Sequence, residues 1–413
     1  MPHNLSVIDK RALVNNPFFI TALLLLSVVP QETGQVVSPI MADIMRAFPD
    51  TSDTTISYII SLPSLAGCIC ALICGKLSVT VSLKKLAVFG LCAYIIGGAG
   101  GGLIENIYWM LACRFVLGIG FGFCIPLTQG LIAEYYDGTK RASMMGYAQA
   151  IGCIGAAIFA FSAGYIALIS WRSAFLLYLF PIVVLVLIVK MLPDTKQNAL
   201  SAETVTEIEK EPGLKSDMDI GVYVFSATGF VGLALYLGML INLSPAISSR
   251  DIGNSSHAGL ALAIMSICTG ISALLFGMVF KVSKIQTLTI VNILFGVTNI
   301  LVANASGIYA IYIAMGIYGI ATGLNAPCLG MAVSALAKQS HRSFALGILN
   351  SATSLGGFAA SLAMGIMFGI VGRGNYRGYF MSIALMFIII AGFMALYIAT
   401  VQNKILKRLQ ATD

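Results

Sequence analysis

Twelve times along this chain a long run of residues passes with almost no charge, and that pattern leaves few folds open. A helix rises 1.5 Å per residue, so about 20 apolar residues cross the ~30 Å hydrocarbon core of a bilayer. The predicted spans are 17–40, 55–76, 85–104, 107–134, 142–167 and 173–192, followed by 220–244, 257–281, 285–304, 307–336, 343–371 and 378–402. These runs are too long for barrel strands, and backbone exposed to lipid must satisfy its own hydrogen bonds, so the expected element is the helix. Of the 413 residues, 58% are hydrophobic and 10% charged. A soluble domain carries roughly 25% charged residues, which makes the lipid bilayer the first partner to expect.

The chain also repeats itself. Gly118, Gly122 and Pro126 return as Gly319, Gly323 and Pro327, a constant offset (327 − 126 = 201). At the same offset Arg141, Gly146, Gly155 and Gly164 return as Arg342, Gly347, Gly356 and Gly365. The group Trp171-Arg172-x-x-Phe175 recurs as Tyr376-Arg377-x-x-Phe380, four residues later still. With 42 glycines a single match means little, but a proline and an arginine among matches at one offset are hard to obtain by chance. Paired bundles of membrane helices are typical of secondary transporters. The predicted organisation is a six-helix bundle over 1–192, a cytoplasmic linker over 193–219 and a second six-helix bundle over 220–413. The linker begins at Pro193. Its Glu203, Glu207 and Lys210 fit either one side of a short surface helix or a plain solvated tether.

Charge placement predicts orientation. If the amino terminus is cytoplasmic, the inner segments hold all of the 24 Lys and Arg residues except Arg46, Arg172, Arg250, Arg373 and Arg377 outside and Arg114 within a span. That follows the positive-inside rule, puts both termini in the cytoplasm and accounts for the net charge of +7 without a nucleic-acid partner. The nine cysteines fall in predicted spans, which argues against a disulfide framework. Cys70 and Cys74 share a helix face but have no histidine nearby, so packing is the expected role rather than a metal site. The polar first sixteen residues and the long first apolar run do not read as a secretory signal. His3, His257 and His341 stand outside the spans, no nucleophile–base constellation converges, and no Gly-x-x-x-x-Gly-Lys phosphate loop exists. Neither an enzyme nor a cofactor is expected.

Span 4 reads Arg114-x-x-x-Gly118-x-Gly120-x-Gly122, and the span 5–6 region runs from Arg141 to Trp171-Arg172-x-x-Phe175. In these residues the chain resembles the major facilitator superfamily, from about residue 17 to 402. Between spans 2 and 3, Gly75, Leu77, Lys84 and Lys85 fit that family's loop motif, whereas Val79 replaces its usual aspartate and Ser82 a usual glycine. Span 5 has no proline and lacks the Gly-Pro step that accompanies drug/proton antiport in the family; around Gly155 it reads Gly-Ala-Ala. The resemblance implies an all-α membrane protein with 12 transmembrane helices in two pseudo-symmetric six-helix bundles, working by alternating access. Substrate is not carried over by fold.

Two charged side chains lie well inside predicted spans, Glu32 in span 1 and Arg114 in span 4. Counted at 1.5 Å per residue from the outer ends, they sit ~12 Å and ~10 Å deep, at similar levels. An ionisable group in hydrocarbon costs several kcal/mol, so each should face the bundle interior and find a partner. One reading makes Glu32 the proton site, with burial raising its affinity for a proton and the Arg114 guanidinium lowering it. The alternatives are a static ion pair, an Arg114 that bonds helix carbonyls, or a Glu32 that binds a cationic substrate directly. Candidate substrate contacts are Gln31, Gln149, Tyr236, Asn242, Asn325 and Asn350, polar or aromatic residues near mid-span. Asn350 is the repeat partner of Gln149. The second half carries no charge deep in its spans, which predicts a largely apolar wall there and favours neutral or amphipathic solutes over polyanions. Proton-coupled efflux of a small organic or amphipathic solute is the first expectation. Proton-coupled uptake is the runner-up, with a transporter-derived sensor as a third reading. The expected setting is a bacterial inner membrane and the expected state a monomer.

Overall fold

The computed structural model describes residues 16–78, 80–136, 138–192, 219–337 and 342–410, without the side chains of residues 32, 138, 139, 142, 342, 343 and 401–410. The 193–219 linker, with Glu203, Glu207 and Lys210, lies outside the described residues apart from Asp219, as do Val79, His3 and His341. Among the described residues the structure is all-helical, and its elements form twelve spans. Spans 2–5 are Asp53–Leu77, Leu83–Gly100, Ile107–Tyr135 and Gly138–Ile166. Span 6 opens as a 3-10 segment, Trp171–Leu179, and continues as Pro181–Met191. Spans 7–12 are Ile220–Ser249, Ser255–Ser283, Thr287–Asn304, Ile308–Leu336, Arg342–Val371 and Tyr376–Gln410.

Span 1 departs most from a plain helix. It is broken into Pro17–Leu26, Val28–Gln35, a 3-10 turn Ser38–Ile40 and Met41–Ala47, bent by 46° overall. Pro30 supplies no N–H, and its ring crowds the carbonyl four residues back at Leu26, where the first segment ends. The Ser27 hydroxyl bonds to the Leu24 carbonyl (2.6 Å) and the Ala148 carbonyl (2.8 Å), tying the break to span 5. Short loops end on caps. Ser52, Ser82, Asn106 and Asn254 each accept backbone N–H groups of the span that follows. Ser82, where the family pattern has glycine, is thus the N-cap of span 3. His257 closes a reciprocal capping box with Asn254 at the start of span 8. Gly372 ends span 11 at φ +93°, a conformation that favours glycine, with its N–H on the Phe368 carbonyl (3.0 Å).

The repeat seen in the chain is a repeat of contacts. Cβ atoms placed on Gly118 and Gly122 would strike span 2 at Pro63 and Gly67, at 2.8 and 2.5 Å. On Gly319 and Gly323 they would strike span 8, at Met265 and Ser272. Gly155 lies against Val28 of span 1, and Gly356 against Phe230 of span 7. Gly164 meets Ser255, while Gly365 meets Thr54, the residue 201 positions before Ser255. Lipid offers helices no hydrophobic reason to associate, so close approach of backbones over small residues does that work. The two bundles are related by a pseudo-two-fold axis and meet along spans 5 and 8 and along spans 2 and 11.

Candidate functional site

Three neighbouring compartments meet at Tyr236, two of them between the bundles. The largest, about 510 Å³, is walled mainly by spans 1, 4 and 5 with part of span 7. A second of about 470 Å³ runs between spans 5, 8 and 10, and a third of about 340 Å³ lies within the carboxy-terminal bundle. Tyr236 of span 7 lines all three, and Gln31, Gln35 and Gln149 line the first two. Asn325 and Asn350 line the third. Five of the six residues singled out as substrate contacts therefore surround one composite cavity. Asn242 is apart from it: fully buried, its Nδ2 donates to the Gly238 carbonyl of its own helix at 2.8 Å. The third compartment's wall is mostly apolar, interrupted by Asn325, Asn350, Thr322 and Thr353.

Arg114 has no exposed surface. Its guanidinium lies against the neighbouring rings of Phe175 (4.9 Å) and Tyr178 (4.7 Å), and Nη1 donates to the Tyr178 hydroxyl at 2.9 Å. The 3-10 start of span 6 makes this possible, because that helix puts residues i and i+3 on one side. The Tyr178 hydroxyl in turn donates to the Thr33 carbonyl (2.9 Å), and Thr33 Oγ1 shares a hydrogen with the Tyr94 hydroxyl (2.9 Å). Thr33 lines the largest compartment, so the buried cation stands one relay from the cavity wall. Arg114 Nε and Nη2 have no hydrogen-bond partner among the described residues. Two aromatic rings and one hydroxyl offset part of the cost of burying a guanidinium. The Glu32 backbone lies in the Val28–Gln35 helix, next to Thr33; its side chain lies outside the described residues.

Sequence reasoning passed over four members of this arrangement: Tyr94, Tyr178 and the cavity-lining Gln35 and Gln129. Gln35 was within reach, since it follows Gln31 by four residues and shares its face.

One end of the cavity is closed by bonds between the bundles. The Ser38 hydroxyl bonds to the Leu240 carbonyl, and Ser244 to the Pro39 carbonyl (2.6 Å). Asp43 pairs with Ser255, Arg46 with Ser248, and Arg373 grips Asp53 with two bonds of 2.9 and 3.0 Å. Ser61 and Ser361 bond at 2.6 Å deeper in the seam. These bonds lie between the mid-depth of the spans and the end that carries the loops joining spans 1–2, 7–8 and 11–12.

Apolar spans throughout, paired bundles and a cavity between them define a multi-pass membrane transporter. The chain belongs to the Major Facilitator Superfamily, whose sequence profile matches residues 18–241 and again 224–411. It is 25% identical to the multi-drug resistance efflux pump PmrA of Streptococcus pneumoniae over 342 residues, 79% of this chain and 82% of that protein. It is 24% identical to the niacin transporter NiaP of Acinetobacter baylyi over 165 residues, 38% of each chain. Against the multidrug resistance protein MdtL of Vibrio parahaemolyticus the figure is 24% over 205 residues, 48% of this chain and 50% of the relative. The match thus spans about half or less of these last two proteins. Among solved structures, the nucleoside transporter NupG superposes with a TM-score of 0.74 at 14% identity, covering 91% of this chain and 99% of that one. An inward-facing bacterial homologue of the lysosomal transporter Spinster gives 0.71 at 15% identity, covering 98% and 99%. Those likenesses speak for the fold.

Proposed function

We propose that this chain moves a small organic solute by proton-coupled alternating access, with Glu32 as the proton site and Arg114 as the group that sets its proton affinity. The observation that carries the reading is the fully buried Arg114, whose Nε and Nη2 have no hydrogen-bond partner among the described residues, with a relay to Thr33, the residue after Glu32. A deprotonated Glu32 would give that cation its counter-charge. A protonated Glu32 would release it, so the two charge states bias the bundle differently. Coupling then consists of solute and proton favouring different openings of the same cavity.

Lys and Arg cluster on the side opposite the closed seam, so the positive-inside rule makes the conformation inward-facing in the plasma membrane, with both termini cytoplasmic. The domain reading remains 1–192, 193–219 and 220–413, with a single chain as the working unit. Efflux by antiport is the first direction, supported by the efflux pump PmrA, the relative with the longest overlap of the three above. Uptake by symport is the second, supported by the missing Gly-Pro step in span 5 and by 22% identity over 214 residues to the arabinose–proton symporter of Escherichia coli. Internal pH in proteoliposomes, followed for wild type and Glu32→Gln while solutes are added, tests the whole reading. Solute-dependent proton movement that vanishes in Glu32→Gln is the expected result, and its sign decides direction. Solute flux without proton movement, unchanged in the variant, would leave Glu32 and Arg114 a structural pair.

A further inference from the structure

The walls of the central cavity carry a chemistry that narrows the solute. Among the described residues that line the three compartments there is no Asp, Glu, Lys, Arg or His. There are six carboxamides instead: Gln31, Gln35, Gln129 and Gln149 from the amino-terminal bundle, Asn325 and Asn350 from the other. Each offers two N–H donors and a carbonyl acceptor. Gln35 is the most telling. Its side chain is buried (8% exposed), it lines two compartments, and its Oε1 has no hydrogen-bond partner. A buried acceptor beside a polar cavity takes its hydrogen bond from whatever donor enters there, water or solute, once the side chain turns toward the space. Gln149 engages a weak acceptor alone, the Cys153 thiol at 3.6 Å, which leaves its carbonyl and second N–H to face the space. Gln149 and Asn350 are repeat partners on spans 5 and 11, so matching amides approach the centre from both bundles.

From this we infer that the site takes an uncharged, hydrogen-bonding solute with both donors and acceptors (polyhydroxylated, or carrying amide-like groups), held between the carboxamides of the two bundles against the Tyr236 ring. A lipophilic cation has no N–H or O–H for Gln35 and finds no anion on the described wall. An organic anion finds no basic group there. A purely apolar solute would strand the six amides, and a site built to bond a polar group discriminates strongly against analogues that lack it. Each compartment has the volume of a small-molecule pocket. The solute spans both halves, which is the geometry alternating access needs: it bonds to both bundles when they close on it and to fewer when they part. This rests on the coupling reading above, in which Glu32 is engaged with a proton and Arg114 rather than with solute.

The test uses the purified full chain and three sets of probes at millimolar concentration. The neutral set is a hexose, uridine, nicotinamide and chloramphenicol; the cations are tetraphenylphosphonium and tetraphenylarsonium; the anions are nicotinate and benzoate. Thermal stabilisation of the unliganded protein is read first. The expected result is stabilisation by members of the neutral set alone, with apparent affinity about 10-fold weaker in Gln149→Leu and in Asn350→Leu, the loss of roughly one good hydrogen bond each. Gln149→Glu, which changes the charge and little else, should shift the preference toward cations. Stabilisation by the cations or anions in wild type overturns the inference, and so does silence of the whole neutral set. Flux in liposomes loaded with the stabilising solute separates the two readings. A cation that binds and is carried sinks the solute class and leaves transport standing; a neutral solute that binds and is never carried does the reverse.

Discussion

The two bundles share a fold, and they differ most where the amino-terminal one buries its charge. Arg114, Tyr94, Thr33 and Tyr178 form a polar knot between spans 1, 3, 4 and 6. Carried across by the repeat, those positions become Met315, Phe295, Ala234 and Ile383, every one apolar and buried. Around them the second bundle builds an aromatic cluster, with Phe295 4.7 Å from Tyr318 and 4.9 Å from Phe387 between ring centroids. Both solutions fill the same space at the same level. The second cluster carries no charge, although its Tyr318 hydroxyl has no hydrogen-bond partner among the described residues, whereas the polar knot leaves Nε and Nη2 of a buried guanidinium without one among them. One copy has therefore kept the cheaper packing, and the other bears a cost that packing alone does not explain.

Exchanging residues between the copies is the strongest way to break this contrast. Met315→Arg places a cation in a fully buried, uncharged core already filled by packed rings, so we expect a loss of about 3 kcal/mol or more and poor recovery of folded protein. Arg114→Met, the reverse exchange, should leave stability within about 1–2 kcal/mol of wild type or raise it, since a buried ion is often replaced by a hydrophobe of similar volume without loss. Proton-coupled flux should nevertheless disappear in Arg114→Met. Melting temperatures in detergent and pH-driven flux in liposomes read the two effects separately. A variant that unfolds and one that folds but no longer couples are easily told apart. If Arg114→Met unfolds as badly as Met315→Arg, the knot is scaffolding and the coupling reading loses its main support.

Much of this was legible in the chain, and what was missed has physical reasons. The spans, the offset of 201 and the buried Arg114 follow from hydropathy and spacing, which act locally. Tyr178 was hidden because its contact with Arg114 depends on how spans 4 and 6 meet, which no local pattern in the chain reports. Tyr94 had a signal that went unused: its repeat partner is Phe295, so one copy carries a hydroxyl the other lacks. Span 1 was read as one helix although Pro30 sits in its middle. Asn242 illustrates the limit of choosing polar residues by depth, because a helix has sides, and this amide turns back to the Gly238 carbonyl of its own turn.

Tyr178→Phe asks less of the molecule and sharpens the comparison within the knot. The ring remains, and with it the stacking on Arg114, while the bonds to Arg114 and Thr33 are lost. We expect about 1–2 kcal/mol of destabilisation from the unsatisfied partners. The pH at which flux is half-maximal should shift relative to wild type, because the guanidinium is less firmly held at the level of residue 33. A pH profile that overlays wild type would confine Tyr178 to packing.

The smallest effect is expected at the closed end, where the same symmetry is again broken. Asp53 and Arg373 fasten span 2 to the loop after span 11, and burial is slight, with side chains 29% and 68% exposed. The bonds to Asp53 also hold the Arg373 guanidinium further above its usual pKa. Across the repeat Asp53 becomes Asn254, and the first arginine after span 5 is Arg172, the repeat partner of Arg377. Asn254 caps span 8, and Arg172 turns to Glu105 of its own bundle. Among the described residues the seam between spans 5 and 8 therefore has no matching ion pair, and there Gly164 packs on Gly259, where an added Cβ would stand 2.9 Å away. An exposed pair contributes at most about 1 kcal/mol, so Asp53→Asn should not unfold the protein. It should raise hydrogen exchange at the facing ends of spans 2 and 11 and leave the ends of spans 5 and 8 unchanged. High salt should have the same effect on wild type and none on the variant, since screening acts on the bond that the variant has already lost. Equal loosening of both seams would mean that the end opens as one unit, and that the difference between ion pair and glycine contact has no mechanical consequence.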